Sequence, residues 1–149
     1  MGYTHYFSHD ATTQNKWANI LHDCELLAEN MPAKIAIAGG NGYGDPVFNR
    51  DEIVFNGAGE NGHETFAISR GGPVLQPYMD ESSMPFAFCK TARKPYDLLV
   101  CACLLVYKYH SAATMELSSD GDSEDWTEAE NFVQEVLGHE IPYEELRRQ

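Results

Sequence analysis

Cations are scarce in this chain. Lys and Arg number 10 against 23 Asp and Glu, a formal charge of −13. Phosphate neutralisation dominates nucleic-acid affinity, so this balance argues against a general DNA or RNA binder. It argues equally against adhesion to an anionic membrane. Long apolar runs are lacking as well. The longest, Leu98 to Tyr107, falls short of the ~20 residues a membrane helix needs. No Cys-x-x-Cys links Cys24, Cys89, Cys101 and Cys103, which removes support for a zinc ribbon or a thioredoxin-like site. The Cys and His spacings fit no tetrahedral set, so no structural metal and no cofactor is expected. Met1 to His5 offers neither a basic n-region nor an apolar h-region, so no signal peptide is visible. Tyr6 stands where a myristoylation motif wants Ser or Thr. A cytoplasmic protein with reduced, buried cysteines is the expectation.

What is present suits one domain over residues 1–149, with 43% hydrophobic residues to build a core. Tyr3 to Ser8 reads as a strand. Ala11 to Asn30 reads as a helix, with Thr12 or Thr13 as cap, Trp17, Ile20, Leu21, Cys24 and Leu27 at helical spacing, and Pro32 beyond its end. Ile35 to Ala38, Asp51 to Asn56, Glu64 to Arg70, Phe86 to Thr91 and Thr114 to Ser119 read as strands. The glycine-rich stretch 57–62 joins two of them as a hairpin, and Gly71 to Pro85 is a loop. Asp97 to Tyr109 is apolar almost all round, so it should be the central buried helix. Asp125 to Leu137 is amphipathic, Gly138 is its natural C-cap, and the tail from His139 has room for one more turn. Strands run consecutively between helical segments. That order predicts an α+β fold: a mixed or antiparallel sheet, one apolar helix packed on a face, and two flanking amphipathic helices.

Four stretches could carry chemistry. In Phe88-Cys89-Lys90-Thr91-Ala92-Arg93-Lys94-Pro95-Tyr96-Asp97, three of the ten basic residues fall between a strand and a helix start. Free amides and the helix dipole there favour an anion, and Arg93 can grip a phosphate or carboxylate bidentately. The plainer alternative is a basic turn paired with the acidic C-terminal third. The hairpin 57–62 places Asn56, Glu60 and His63 where they could read a ligand edge, or where they merely satisfy backbone groups. Gly40 to Asp45 follows a strand but precedes another, so a dinucleotide loop fails; Tyr43 could still be a stacking lid over a ligand. Asp120 to Asp125 has Asp125 and Asn131 where a calcium loop needs Gly and Glu, so capping is expected. His5 is a satisfied, half-buried histidine or a site residue at the polar end of the sheet.

Gly2-Tyr3-Thr4-His5-Tyr6, Phe55-Asn56-Gly57 with Gly62-His63-Glu64-Thr65-Phe66, Phe88 to Asp97, and Ser118-Ser119-Asp120-Gly121 form a recognisable set. On these segments, over most of its length, the chain resembles a family of small uncharacterised proteins encoded by bacteriophages and bacteria. The resemblance implies a bacterial cytoplasmic setting. It transfers no activity, although small phage proteins often act on host defence, some by sequestering nucleotide signals. The leading expectation is non-catalytic binding of a small anionic, nucleotide-like ligand. Lys90, Thr91, Arg93 and Lys94 would hold phosphate. Tyr3, Tyr43 or Tyr96 would stack on a base, and Asn56, Glu60 and His63 would read its edge. No catalytic residue and no metal ligand is assigned, no general nucleic acid or membrane is a partner, and a homo-oligomer is compatible with the sequence. Two alternatives compete. A phosphoesterase or nucleotide hydrolase would use His5 or His63 as base, Glu64 or Asp120 as partner and Arg93 as stabiliser. An acidic interaction protein would mimic nucleic acid and block a host DNA-binding protein.

Overall fold

Seven strands and four helices follow one another in a computed structural model that describes residues 3–9, 14–71, 87–112 and 115–148. They are β1 (Thr4–His9), α1 (Gln14–Glu29), β2 (Ile37–Ala38), β3 (Val47–Phe48), β4 (Glu52–Gly57), β5 (Phe66–Ser69), β6 (Ala87–Lys90), α2 (Asp97–Ser111), β7 (Met115–Ser119), α3 (Thr127–Leu137) and α4 (Tyr143–Leu146). The fold is α+β. The proposed caps Thr12 and Thr13 and the loop after Gly71 lie outside the described residues.

The sheet architecture differs from a single sheet. β1 is the middle strand of a three-stranded sheet, order β6-β1-β7, and β4 organises a second sheet with β2, β3 and β5. Every pairing among the described residues is antiparallel. The cause is visible in β4. It pairs β3 near its start, β2 at its end and β5 along most of its length, so its partners are already supplied locally. β3 has only two residues, too few for a periodic signal in the sequence.

β1 is buried along its length except at Tyr6, as the middle strand of its sheet, and Tyr3 just before it is buried too. α2 is the interior helix: Leu99 through Lys108 are all buried. It packs against α1, α3, α4 and β7, and one apolar cluster joins both sheets and all four helices. Lys108 is buried near the end of α2, where its ammonium donates to Ala112 O at 2.6 Å and to Met115 O. It thereby ties the last turn to the first residue of β7, which is how a buried cation is tolerated.

The acidic run does cap. Asp122 accepts from the amides of Glu124 and Asp125, and Asp125 reaches back to the Asp122 amide, opening a 3-10 turn that leads into α3. Gly138 closes α3 in the left-handed region, at φ +82°.

Candidate functional site

Cysteine, aspartate and histidine meet where the start of β1, the start of α2 and the approach to α3 come together. A cleft of about 590 Å³ opens there, within the ordinary range for small-molecule sites. Its walls include Tyr3, Lys34, Arg93, Lys94, Asp97, Cys101, Asp125 and Glu128. They come from four separate stretches of chain.

The turn 91–96 positions the cationic wall. Thr91 N and Ala92 N both donate to Tyr3 O, at 3.0 and 3.3 Å. Ala92 and Arg93 then adopt left-handed backbone, φ +52° and +57°, which costs roughly 1–2 kcal/mol each for residues carrying a Cβ. This aims Arg93 back across the cleft. Its guanidinium carbon lies 3.9 Å from the centroid of the Tyr3 ring, a cation–π geometry. Its Nη1 donates to Asp125 Oδ1 at 3.2 Å. That pair holds the exposed Asp125 carboxyl below its usual range, together with the stronger pull of backbone hydrogen bonding at Asp122. Asp125, in the acidic C-terminal third, is therefore the partner of Arg93. Lys94 Nζ donates to Glu60 O at 3.2 Å.

Behind this wall runs a row of buried polar groups. His5 is 0% exposed. Its Nε2 is 2.7 Å from Asp97 Oδ1 and its Nδ1 is 2.7 Å from Ser119 Oγ. Thr91 Oγ1 donates to Asp97 Oδ1 at 2.6 Å. Cys101 Sγ lies 3.4 Å from His5 Nε2 and donates to Asp97 Oδ2 at 3.5 Å. Ser119 Oγ also accepts the Gly121 amide at 3.0 Å. Burial raises the Asp97 carboxyl, but the hydrogen bonds from His5, Thr91 and Cys101 overcome it and leave the group below the ordinary carboxylate range. Burial pushes the Cys101 thiol well up, and the neighbouring Asp97 charge pushes it further. Cys101 is thus a neutral thiol, not a poised nucleophile. Ser119, His5 and Asp97 stand in the order of a hydrolytic triad, yet Ser119 is not among the cleft's lining residues.

Of the residues expected from the sequence to bind, Arg93 and Lys94 line the cleft and His5 stands behind Asp97. The others lie elsewhere. The Thr91 hydroxyl faces inward to Asp97. The Lys90 amide is taken by Glu64 Oε1 at 2.8 Å. Tyr96 is fully buried, its hydroxyl donating to Glu64 O at 2.6 Å. The Asn56 amide is consumed by Gly40 O, His63 O, Gly57 N and His63 N. It clamps the glycine-rich turns together and has no capacity left for a ligand edge. Glu60 and His63 are exposed on that clamped turn. Tyr43 is 72% exposed on the neighbouring one, and none of the three lines the cleft. Asp120, weighed as a catalytic partner, instead bonds Thr4 N and the Tyr6 hydroxyl. The free-amide argument for α2 also needs correcting. The amides of Asp97, Leu98 and Leu99 already donate to Lys94, Pro95 and Tyr96 carbonyls, so side chains rather than helix amides form the cationic wall.

Sequence reasoning missed Lys34, Glu128, Cys101 and Ser119. Cys101 sits inside an apolar run and reads as core; Lys34 is a single cation after a proline. Neither carries a local signal. No protein-family profile matches the chain, and no significant match was found among curated proteins or solved structures.

Proposed function

We propose that the protein binds, without converting it, a small ligand that carries a phosphate and hydrogen-bond donors, a mononucleotide being the class that fits. One arrangement carries this: Lys34, Arg93 and Lys94 lie in the same cleft as Glu124, Asp125 and Glu128. A purely anionic ligand would meet those carboxylates as like charges. A nucleotide offers phosphate oxygens to the cations, and base or ribose N–H and O–H groups to the carboxylates, the chemistry by which acidic side chains read base donors. The Arg93 guanidinium, exposed on top of the Tyr3 ring, supplies a flat surface for a base. In the phage setting that the sequence resemblance implies, binding without turnover would serve sequestration.

Calorimetric titration with guanosine, adenosine and cytidine monophosphates and with inorganic phosphate, in chelator-containing buffer, tests this. A nucleotide should bind more tightly than phosphate. Arg93→Ala should weaken it at least about tenfold, since a charge-assisted hydrogen bond contributes about 1.5–3 kcal/mol. Arg93→Lys should restore part of the loss, because an ammonium lacks the planar fork. The nucleotide should return intact by mass spectrometry. No heat with any nucleotide, unchanged affinity in Arg93→Ala, or a converted product would sink the proposal.

A further inference from the structure

The trio at the floor of the cleft has the makings of a metal centre. Nε2 of His5, a carboxylate oxygen of Asp97 and Sγ of Cys101 all lie within 4.8 Å of one another. Zinc bond lengths of about 2.0–2.3 Å place the donor atoms of a tetrahedral site roughly 3.3–3.6 Å apart. Two of the separations already match: 3.4 Å from Cys101 Sγ to His5 Nε2, and 3.5 Å from Cys101 Sγ to Asp97 Oδ2. The third, 2.7 Å between His5 Nε2 and Asp97 Oδ1, is a hydrogen bond. That contact uses the other carboxylate oxygen, so the Asp97 carboxylate must turn as well as draw back for one oxygen to join the histidine and the thiol around an ion. Asp97 is one-fifth exposed at its side chain and lines the cleft, as does Cys101, so an entry path exists.

The surroundings are arranged as a metal site requires. A ligating histidine is normally oriented through its other nitrogen, and a ligating carboxylate through further hydrogen bonds. Here His5 Nδ1 meets Ser119 Oγ at 2.7 Å, and Asp97 Oδ1 accepts from Thr91 Oγ1 at 2.6 Å. Ser119 Oγ can accept both the Gly121 amide and an Nδ1 proton, while its own hydrogen turns to the Tyr3 hydroxyl with which it bonds. One thiolate and one carboxylate neutralise a divalent ion, which suits a buried position. Imidazole and thiolate together select a zinc-like ion over magnesium or calcium.

From this geometry we infer that His5, Asp97 and Cys101 bind one zinc ion at the floor of the cleft, with the fourth position open to the cavity. On binding, the Cys101 thiol proton and the proton that His5 Nε2 shares with Asp97 both pass to solvent. The imidazole binds through Nε2 and keeps a proton on Nδ1, donated to Ser119. Water, or an anionic oxygen entering the cleft, takes the open position. This inference stands independently of the nucleotide reading. The chain spacing that argued against a tetrahedral set does not apply, because the ligands come from β1 and α2, brought together only by folding.

Chelator-stripped protein titrated with cobalt(II) alone tests it, with no nucleotide present. One equivalent should give a near-ultraviolet thiolate-to-cobalt charge-transfer band and intense tetrahedral visible bands, both bleached by one equivalent of zinc. Cys101→Ser should lose the charge-transfer band while keeping the wild-type circular dichroism. Ser119→Ala, which leaves all three donors in place, should weaken zinc about tenfold or more in a competition titration. If Cys101→Ser does not fold, the Ser119→Ala competition titration decides, since that variant keeps all three donors and should still bind zinc more weakly. Absence of a thiolate band in the wild type, its persistence in Cys101→Ser, or unchanged zinc affinity in Ser119→Ala overturns the inference.

Discussion

Asn56 and Gly121 show how single residues build the cleft from a distance. The Asn56 amide makes four hydrogen bonds that pin the 39–44 loop to the 57–62 turn. Asn56→Ala strands buried backbone donors and acceptors, which should cost roughly 2–3 kcal/mol in urea unfolding. Nucleotide affinity should not change, because Asn56 does not line the cleft; a binding defect at unaltered stability would restore it to the site. Gly121 acts sterically. A Cβ there would overlap the Tyr3 hydroxyl, which leaves no room for any side chain. Gly121→Ala should displace the Tyr3 ring and with it the Arg93 guanidinium that rests on it. Reduced nucleotide affinity together with altered tyrosine fluorescence is the expected outcome, and wild-type behaviour in both would show that the ring has space to move.

At the scale of elements, α2 is the member on which the other three helices pack. Leu104 is 0% exposed on a helix that packs against α1, α3, α4 and β7. Leu104→Ala should cost roughly 2–5 kcal/mol through the cavity it leaves, read as a lower midpoint in thermal or urea unfolding. A melt matching the wild type would contradict the central placement of this helix. α3 offers a gentler test. Gly138 holds φ +82° with nothing near the position of a Cβ, so Gly138→Ala meets only backbone strain. A loss of about 1 kcal/mol is expected, and a neutral result would mean that the cap rearranges freely.

Over the whole molecule, acid stability should report on the buried polar row. Asp97 is depressed below its ordinary 3.8 in the folded state, so the folded protein binds that proton more weakly than the unfolded chain. Its contribution is complete above about pH 4 and drains as pH falls through the folded value. Asp97→Asn is less stable at neutral pH but carries no such proton. Its unfolding free energy should therefore fall less than the wild type's between about pH 5 and pH 3. Parallel curves for the two proteins would show that Asp97 is not specially held. The exposed Asp125 and the half-buried Glu144 are depressed too, but they are shared by both proteins and cancel in the comparison.

The sequence alone determined the fold class, the interior helix, the capping of α3 and the strongly acidic charge. Each follows from a local cause: unbroken apolarity from Leu98 to Tyr107, a left-handed glycine at 138, and carboxylates spaced to meet helix amides. It also singled out Arg93 and Lys94, because cations are rare enough here that a cluster stands out. Periodicity, however, says which side of an element is buried and nothing about what it meets there. The division into two sheets depended on which strands β4 found as neighbours. The row from Ser119 through His5 to Asp97 and Cys101 joins β7, β1 and α2 across more than ninety residues of chain. Asn56 and Tyr96, polar groups that a sequence offers to a ligand, were taken by backbone instead, because buried amides and carbonyls must find partners. Tertiary structure alone decided these matters, since hydrogen bonding in the interior is settled by whichever groups folding brings within about 3 Å.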